Sequence, residues 1–215
     1  MIDVRMFTVG PLEENCFFAR AKGSDRAVIV DPGEEPERLL AAAEELGVTI
    51  EAILLTHTHF DHIGAVAPVA RATGAPVYCP ELETHVLANV MEFVPWSGFG
   101  PYESYHADHT VKGGEELVLA GLKLDVLFTP GHSPGHVTYS IRGENALLSG
   151  DVLFQGSVGR VDLPGGDWPT LLASIDTLVS TFPAETTVYP GHMGITTLGR
   201  EQASNPFLRE LAPHQ

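Results

Sequence analysis

The stretch Thr56-His57-Thr58-His59-Phe60-Asp61-His62 puts four side chains able to hold a metal within six positions. The apolar run Ala52-Ile53-Leu54-Leu55 before it reads as a buried strand. Ile63 to Thr73 after it is apolar at helical spacing, with Gly74 as the stop. The cluster therefore falls on a turn between a strand and a helix, where open α/β sheets usually carry their chemistry. A chain built this way must bring other elements to that turn.

Three more strand candidates end alike. Val126-Leu127-Phe128 runs to His132, Leu147-Leu148 to Asp151, and Val188-Tyr189 to His192. A glycine stands directly before each of these ligand-type residues, which lets the backbone turn sharply and bring the side chain close. Side by side, the four strand ends would deliver His57, His59, His62, His132 and His192 with Asp61 and Asp151. Imidazoles and carboxylates together suit zinc, iron or manganese. Seven ligands exceed the needs of one tetrahedral ion and match two ions roughly 3.5–4 Å apart, bridged by a carboxylate and a water. A lone histidine at a strand end is most often structural. His85, His106, His109 and His214 read that way, although His106 and His109 stand in a long loop within possible reach of substrate.

The remaining pattern predicts paired strands at 4–9 and 16–19, a strand at 27–30, a helix at 36–46, a strand at 76–79 and a helix at 81–93. From 95 to 109 the chain is rich in aromatics, Gly and Pro without a clear period, which predicts a long loop. Hairpins are expected at 116–128 and 137–148, a Gly-rich loop at 155–166, a helix at 169–181, a strand at 187–189 and a helical tail from about 197 to 212. No βαβ rhythm is evident. Roughly a dozen strand candidates, many in hairpins, predict an α/β protein with two mixed sheets packed together and helices outside.

The chain has 215 residues, 44% hydrophobic and 19% charged, enough to bury a sizeable core as one domain. A net charge of −16 with 12 Lys and Arg argues against nucleic acid as a partner. Cys16 and Cys79 form no CxxC and suggest buried thiols rather than a disulfide framework. No apolar run approaches the ~20 residues of a membrane span, and Met1 to Arg5 opens no signal peptide. A cytoplasmic protein acting on a small molecule, with neither membrane nor nucleic acid as partner, is expected.

The HxHxDH turn, Pro130-Gly131-His132-Ser133-Pro134-Gly135-His136, Ser149-Gly150-Asp151 and Pro190-Gly191-His192 resemble the metallo-β-lactamase superfamily. Within it the chain looks like the glyoxalase II-like (hydroxyacylglutathione hydrolase-like) branch. The stretch 156–166 and the tail 197–208 are similar to its short bacterial members. The resemblance covers nearly the whole chain and implies a four-layer αβ/βα sandwich over residues 1–215, with metals at one edge. It assigns His57, His59 and His132 to one ion and Asp61, His62 and His192 to a second, with Asp151 bridging. The implied reaction is hydrolysis of a thioester such as S-lactoylglutathione by a metal-bridging hydroxide, with Asp61 orienting the nucleophile or taking its proton. Two divalent ions per chain, zinc first, with iron or manganese as alternatives, are the implied cofactors.

Longer members of the branch hold glutathione with basic residues of a helical C-terminal domain. Here 23 residues follow His192, with Arg200 and Arg209 as their cations. Arg160, on the Gly-rich loop, is therefore the residue expected to meet a substrate carboxylate; its other reading is an ion pair holding that loop. Trp96, Phe99 and Tyr102 are candidates for the pocket wall. Asp31 and His136 are candidates to support the metal ligands, because metal-bound histidines donate their other N–H to a carboxylate or carbonyl. Other readings are a mononuclear-iron, persulfide dioxygenase-like oxidoreductase, a hydrolase of another ester or lactone class, a β-lactamase, and a metal-binding module without turnover. The complete second ligand set favours the thioester hydrolase.

Overall fold

The computed structural model describes residues 1–209. In chain order its strands and helices are β1 (Ile2–Val9), β2 (Glu14–Ala21), β3 (Arg26–Val30), α1 (Pro36–Glu45), β4 (Thr49–Leu54), α2 (Phe60–Ile63), α3 (Val66–Thr73), β5 (Val77–Pro80), α4 (Thr84–Leu87), β6 (His109–Val111), β7 (Glu116–Leu119), β8 (Leu122–Phe128), β9 (Val137–Ile141), β10 (Ala146–Gly150), β11 (Leu153–Phe154), β12 (Ser157–Val158), α5 (Trp168–Thr181), β13 (Thr187–Pro190), β14 (Thr196–Thr197) and α6 (Leu198–Ser204).

The strands form two six-stranded mixed sheets, ordered β1-β2-β3-β4-β5-β6 and β14-β13-β10-β9-β8-β7. The strand pattern explains the layers. On β3, Val28 and Val30 face the opposite sheet while Ala27 and Ile29 face helices; on β4, Ala52 and Leu54 face inward and Ile53 outward. In the second sheet Tyr139, Ala146 and Leu148 join the inter-sheet core, while Leu147 and Val188 pack on Leu171, Ile175 and Leu178 of α5. Strands buried on both faces read as unbroken apolar runs. The result is helix, sheet, sheet, helix, as expected.

Four expectations need correction. Parallel strands joined through helices are present after all: α1 links β3 and β4, α2 with α3 links β4 and β5, α4 lies between β5 and β6, and α5 lies between β10 and β13. The helix expected at 63–73 is two helices, because the Ala65 N–H bonds to the Pro32 carbonyl at 3.0 Å instead of continuing the helical ladder. The helix expected at 81–93 is broken into a 3-10 turn (Glu81–Glu83), α4, and a second 3-10 turn (Val90–Glu92). There the Leu87 carbonyl accepts from Tyr105 N–H at 3.0 Å and the His85 carbonyl from Asn89 Nδ2 at 2.9 Å, so the bonds a longer helix needs are taken. The Gly-rich loop contains half of a small hairpin, with β11 paired to β12. In the tail, α6 stops at Asn205, whose side chain caps the following 3-10 turn; 210–212 lie outside the described residues. No described helix is long and apolar enough to cross a membrane.

One contact ties the inter-sheet core to the site. Tyr139, fully buried on β9, donates its hydroxyl to the carbonyl of Leu55 at 2.9 Å, just before the Thr56 turn. Tyr139→Phe removes that bond in a dry environment and should lower unfolding free energy by about 1–2 kcal/mol. Denaturant titration monitored by circular dichroism measures it, and an unchanged midpoint refutes the assignment.

Candidate metal centre and active site

The four turns converge. Asp151, at the end of β10, has Oδ1 3.3 Å from His62 Nε2 and Oδ2 3.4 Å from His132 Nε2 and 3.6 Å from His192 Nε2. His192 Nε2 lies 3.3 Å from Asp61 Oδ2. The imidazoles crowd one another, with His57 and His62 ring centroids 4.2 Å apart and those of His59 and His132 4.5 Å apart. Two groups therefore form, His57 with His59 and His132, and Asp61 with His62 and His192, with the carboxylate of Asp151 reaching both.

Close approach of backbone makes this possible. A Cβ on Gly191 would collide with Asp151 Oδ1 and stand 2.7 Å from His62 Cε1. Gly150 takes a left-handed φ of 47°, and a Cβ there would lie 2.7 Å from His136 Nε2. Those two turns tolerate no side chain.

The hydrogen bonds fix which ring nitrogen faces the centre. Thr56 Oγ1 donates to Asp31 Oδ2 at 2.6 Å, so at its 3.0 Å contact with His57 Nδ1 it accepts. His62 Nδ1 lies 3.1 Å from the same Asp31 oxygen, and His132 Nδ1 lies 2.7 Å from the Arg160 carbonyl. In the neutral form of each ring Nδ1 then carries the proton, leaving Nε2 to turn a lone pair inward. Asp31, left-handed at φ 50°, thus serves two histidines. His136 differs: its Nε2 accepts from Asp151 N–H at 3.0 Å and its Nδ1 meets Thr129 Oγ1 at 3.1 Å. It holds the Asp151 turn and has no lone pair left for a ligand.

Nε2 of His57, His62 and His132 and Oδ1 of Asp151 are buried and have no hydrogen-bond partner. Buried polar atoms rarely stay unpaired, because each forfeits its hydration. Gathered where the turns converge, these atoms are donors that divalent cations would satisfy, so the residues fit a metal centre.

The charges are equally distinctive. Burial, followed by neighbouring imidazoles, pushes His57 well below the ordinary imidazole range. Burial and then His132 take His59 down to about 3. For His62, burial works against the charged form, but Asp151 and Asp61 outweigh it and raise its pKa well above normal. His192 is raised in the same way, by Asp151 and the bond to Asp61. Burial favours neutral Asp151, yet His62 and His192 win and hold it ionised.

Three supporting residues were not legible. Glu83 is buried; its Oε2 accepts from Thr58 N–H (2.7 Å) and Thr58 Oγ1 (2.9 Å), and its Oε1 from Ser133 Oγ (2.5 Å) and Gly135 N–H (2.7 Å). One carboxylate thus staples the His57–His59 turn to the His132 turn. Asn15 Nδ2 donates to the carbonyls of Pro190 and Met193 at 3.0 and 2.8 Å, fixing the His192 turn. Glu14 is buried beside His62, with Oε1 3.6 Å from Nδ1, and burial lifts its pKa well above the carboxylate range. The one available signal was polar residues heading an otherwise apolar strand, Glu14-Asn15-Cys16-Phe17.

A cavity of about 810 Å³ opens beside the cluster, lined by His59, Asp61, His132, Asp151 and His192 and, further out, by Trp96 and Arg160. His85 also lines it, although the sequence suggested a structural role. His106 and His109 do not; His109 stacks on Tyr78 with centroids 4.6 Å apart. Of the three candidate wall aromatics only Trp96 reaches this cavity. Phe99 and Tyr102 pack against Phe60, and Tyr102 donates to Glu34. Arg160 lies 5.4 Å from the Trp96 ring centroid and pairs with Asp162, Nε to Oδ1 at 2.6 Å and Nη2 to Oδ2 at 2.7 Å. His214 lies outside the described residues.

Such a fold and site define a metallo-hydrolase, and the chain belongs to the metallo-β-lactamase superfamily, whose family pattern matches residues 9–192. It is 42% identical over 209 residues to the probable metallo-hydrolase YqgX of Bacillus subtilis, covering 95% of this chain and 96% of that one. To the hydroxyacylglutathione hydrolase GloC of Haemophilus influenzae it is 34% identical, covering 96% and 98%. The crystal structure of TTHA1623 in a di-iron-bound form superposes with a TM-score of 0.84 at 43% identity, covering 95% of this chain and 100% of that one.

Glu83→Ala strands four donors that Glu83 now satisfies, two of them backbone N–H groups. We expect a loss of about 2–4 kcal/mol in unfolding free energy for the metal-free protein. Thermal unfolding after exhaustive chelation measures this, and a change within the scatter of surface variants refutes the staple.

Proposed function

We propose that this protein hydrolyses a thioester of the S-lactoylglutathione type at a two-metal centre. The observation that carries this reading is Asp151, whose two oxygens face both histidine groups at once and suit a bridging ligand. The similarity to GloC supports the thioester class, and the di-iron form of TTHA1623 supports two ions.

His57, His59 and His132 would hold one ion and Asp61, His62 and His192 the other. Zinc, iron and manganese all suit this donor set. Bound there, the ions would supply a water ionised near neutral pH and an electrophile for the thioester carbonyl. The chain's own residues do the rest. Asp31 and the Arg160 carbonyl hold the imidazoles in the tautomer that turns Nε2 inward. Asp61 sits on the cavity wall; burial favours its neutral form, but His62 and the bond from His192 keep it ionised. Ionised, Asp61 would orient the nucleophile by accepting a hydrogen bond from it, and would be too weak a base to hold its proton. His136 fixes the Asp151 backbone at the turn that carries the carboxylate. Arg160 stands at the outer wall, in position to touch substrate.

Elemental analysis paired with thioester turnover tests the proposal. Two metal equivalents per chain and hydrolysis of S-lactoylglutathione or a related thioester are expected. Asp151→Ala should lose at least about a hundredfold in kcat/KM and retain fewer than two equivalents. A metal-replete protein inert toward a thioester panel overturns the reading.

The two metal positions should also separate with pH. A metal must displace any ligand proton. His57 and His59 are depressed, so these two ligands of the first group shed their protons well below the ordinary imidazole value. His62 and His192 are raised, so protons compete for the other group even above the ordinary imidazole value. Acidification from about pH 8 to about pH 6 should therefore release the Asp61–His62–His192 metal first. Metal titrations at several pH values, with His192→Ala to mark that site, read the order; simultaneous release overturns it.

A further inference from the structure

The same cavity bears on what part of a substrate it accepts. Beyond the metal cluster, its wall is built from Leu82, Val86, Phe93, Trp96, Phe154 and Met193. Leu82, Phe93, Trp96 and Met193 keep between 39 and 57% of their surface exposed. Large apolar side chains gathered at the mouth of one pocket are unfavourable in water and favourable against an apolar ligand. Trp96 is held in place from behind, its ring edge-on to Phe60 at 5.8 Å, and Phe60 directly precedes Asp61.

Charge points the same way. Among the described residues lining the cavity, Arg160 is the one Lys or Arg. Its Nε–Nη2 edge is filled by Asp162 and its guanidinium caps the Trp96 ring. An incoming carboxylate would meet only the remaining Nη1–Nη2 edge of a guanidinium whose charge Asp162 already offsets. Glu92 adds a negative charge to the wall, and the whole chain carries −16. A tripeptide thiol such as glutathione brings two carboxylates and one ammonium, and among the described lining residues the wall offers them one guanidinium, already paired with Asp162.

Resting on the thioester reading above, we propose that the group lodged in this cavity is an uncharged, apolar alkyl or aryl portion of the substrate, bedded against Trp96, and that glutathione is not the moiety it is shaped to hold. Arg160 then acts as the cap of an aromatic shelf rather than as the partner of a substrate carboxylate.

The test uses two non-hydrolysable thioethers that differ in the carrier alone: 1-(benzylthio)propan-2-ol, which is neutral, and S-(2-hydroxypropyl)glutathione. Calorimetric titration into the metal-loaded protein should show the neutral compound binding at least about tenfold more tightly, the size expected for burying an aryl group with no carboxylate to desolvate. Trp96→Ala should weaken the neutral compound by about tenfold and leave the glutathione compound little changed. Leu82→Arg, which gives the exposed rim an unpaired cation, should shift the preference toward glutathione. Equal or tighter binding of the glutathione thioether overturns the proposal, as does indifference of the neutral compound to Trp96→Ala. Because binding is read without turnover, failure of thioester hydrolysis would sink the proposed reaction and leave the cavity assignment to be judged by these titrations. S-Lactoylglutathione outpacing the matching S-benzyl thiolactate in kcat/KM would sink the cavity assignment alone.

Discussion

The pairing of each buried imidazole with a protein acceptor at Nδ1 is the interaction on which the rest of the site depends. A neutral imidazole offers one donor and one lone pair, and the partner of one nitrogen decides what the other presents. Thr56, Asp31 and the Arg160 carbonyl each settle one ring. Asp31 does this twice, directly for His62 and through the Thr56 hydroxyl for His57. Its carboxylate also accepts Thr56 N–H at 2.8 Å, so the turn that carries the ligands and the tautomers of those ligands are set by one side chain. Its left-handed backbone, tolerable for Asp, is a local cost the surrounding bonds offset.

The sheets exist, for this purpose, to bring chain ends to one edge. Parallel β3 and β4 end at Asp31 and at the Thr56 turn, and parallel β10 and β13 end at Asp151 and His192. Strand ends alone leave turns free to drift by an ångström, which is enough to spoil a ligand set. Glu83 and Asn15 remove that freedom by cross-linking turns from different elements through short hydrogen bonds to backbone groups. Both are fully engaged, so their burial carries little of the penalty of an orphaned polar group.

What the letters disclosed follows from this division. The seven ligand-type residues were visible because they cluster in sequence or stand just beyond apolar runs next to glycine. Layering was visible because strands buried on both faces are continuously apolar. The staples were invisible because they act across 25 to 178 positions and occupy ordinary contexts: Glu83 looks like one more acidic residue on a helix, Asn15 like a turn residue. The 81–93 helix failed for the same reason. Its pattern is helical, but Glu83, Tyr105 and Asn89 take bonds elsewhere that outweigh a propensity of a few tenths of a kcal/mol per residue. Local signals predict local structure, and this site is held by non-local contacts.

The ligand groups are also unequal in their origin. His57, His59, Asp61 and His62 come from one turn of the first sheet, so their mutual geometry is set locally. His132, Asp151 and His192 come one at a time from three turns of the second. Each group thus mixes the sheets, and Asp151 of the second sheet reaches His62 of the first. A cation in either group would be held by both halves of the sandwich, and its binding energy would be shared with the packing between Leu54 and Tyr139 that sets their spacing. The inter-sheet core is therefore part of the site's chemistry: it supplies the restoring force that keeps seven polar side chains gathered at a point where none of them, taken singly, would leave water.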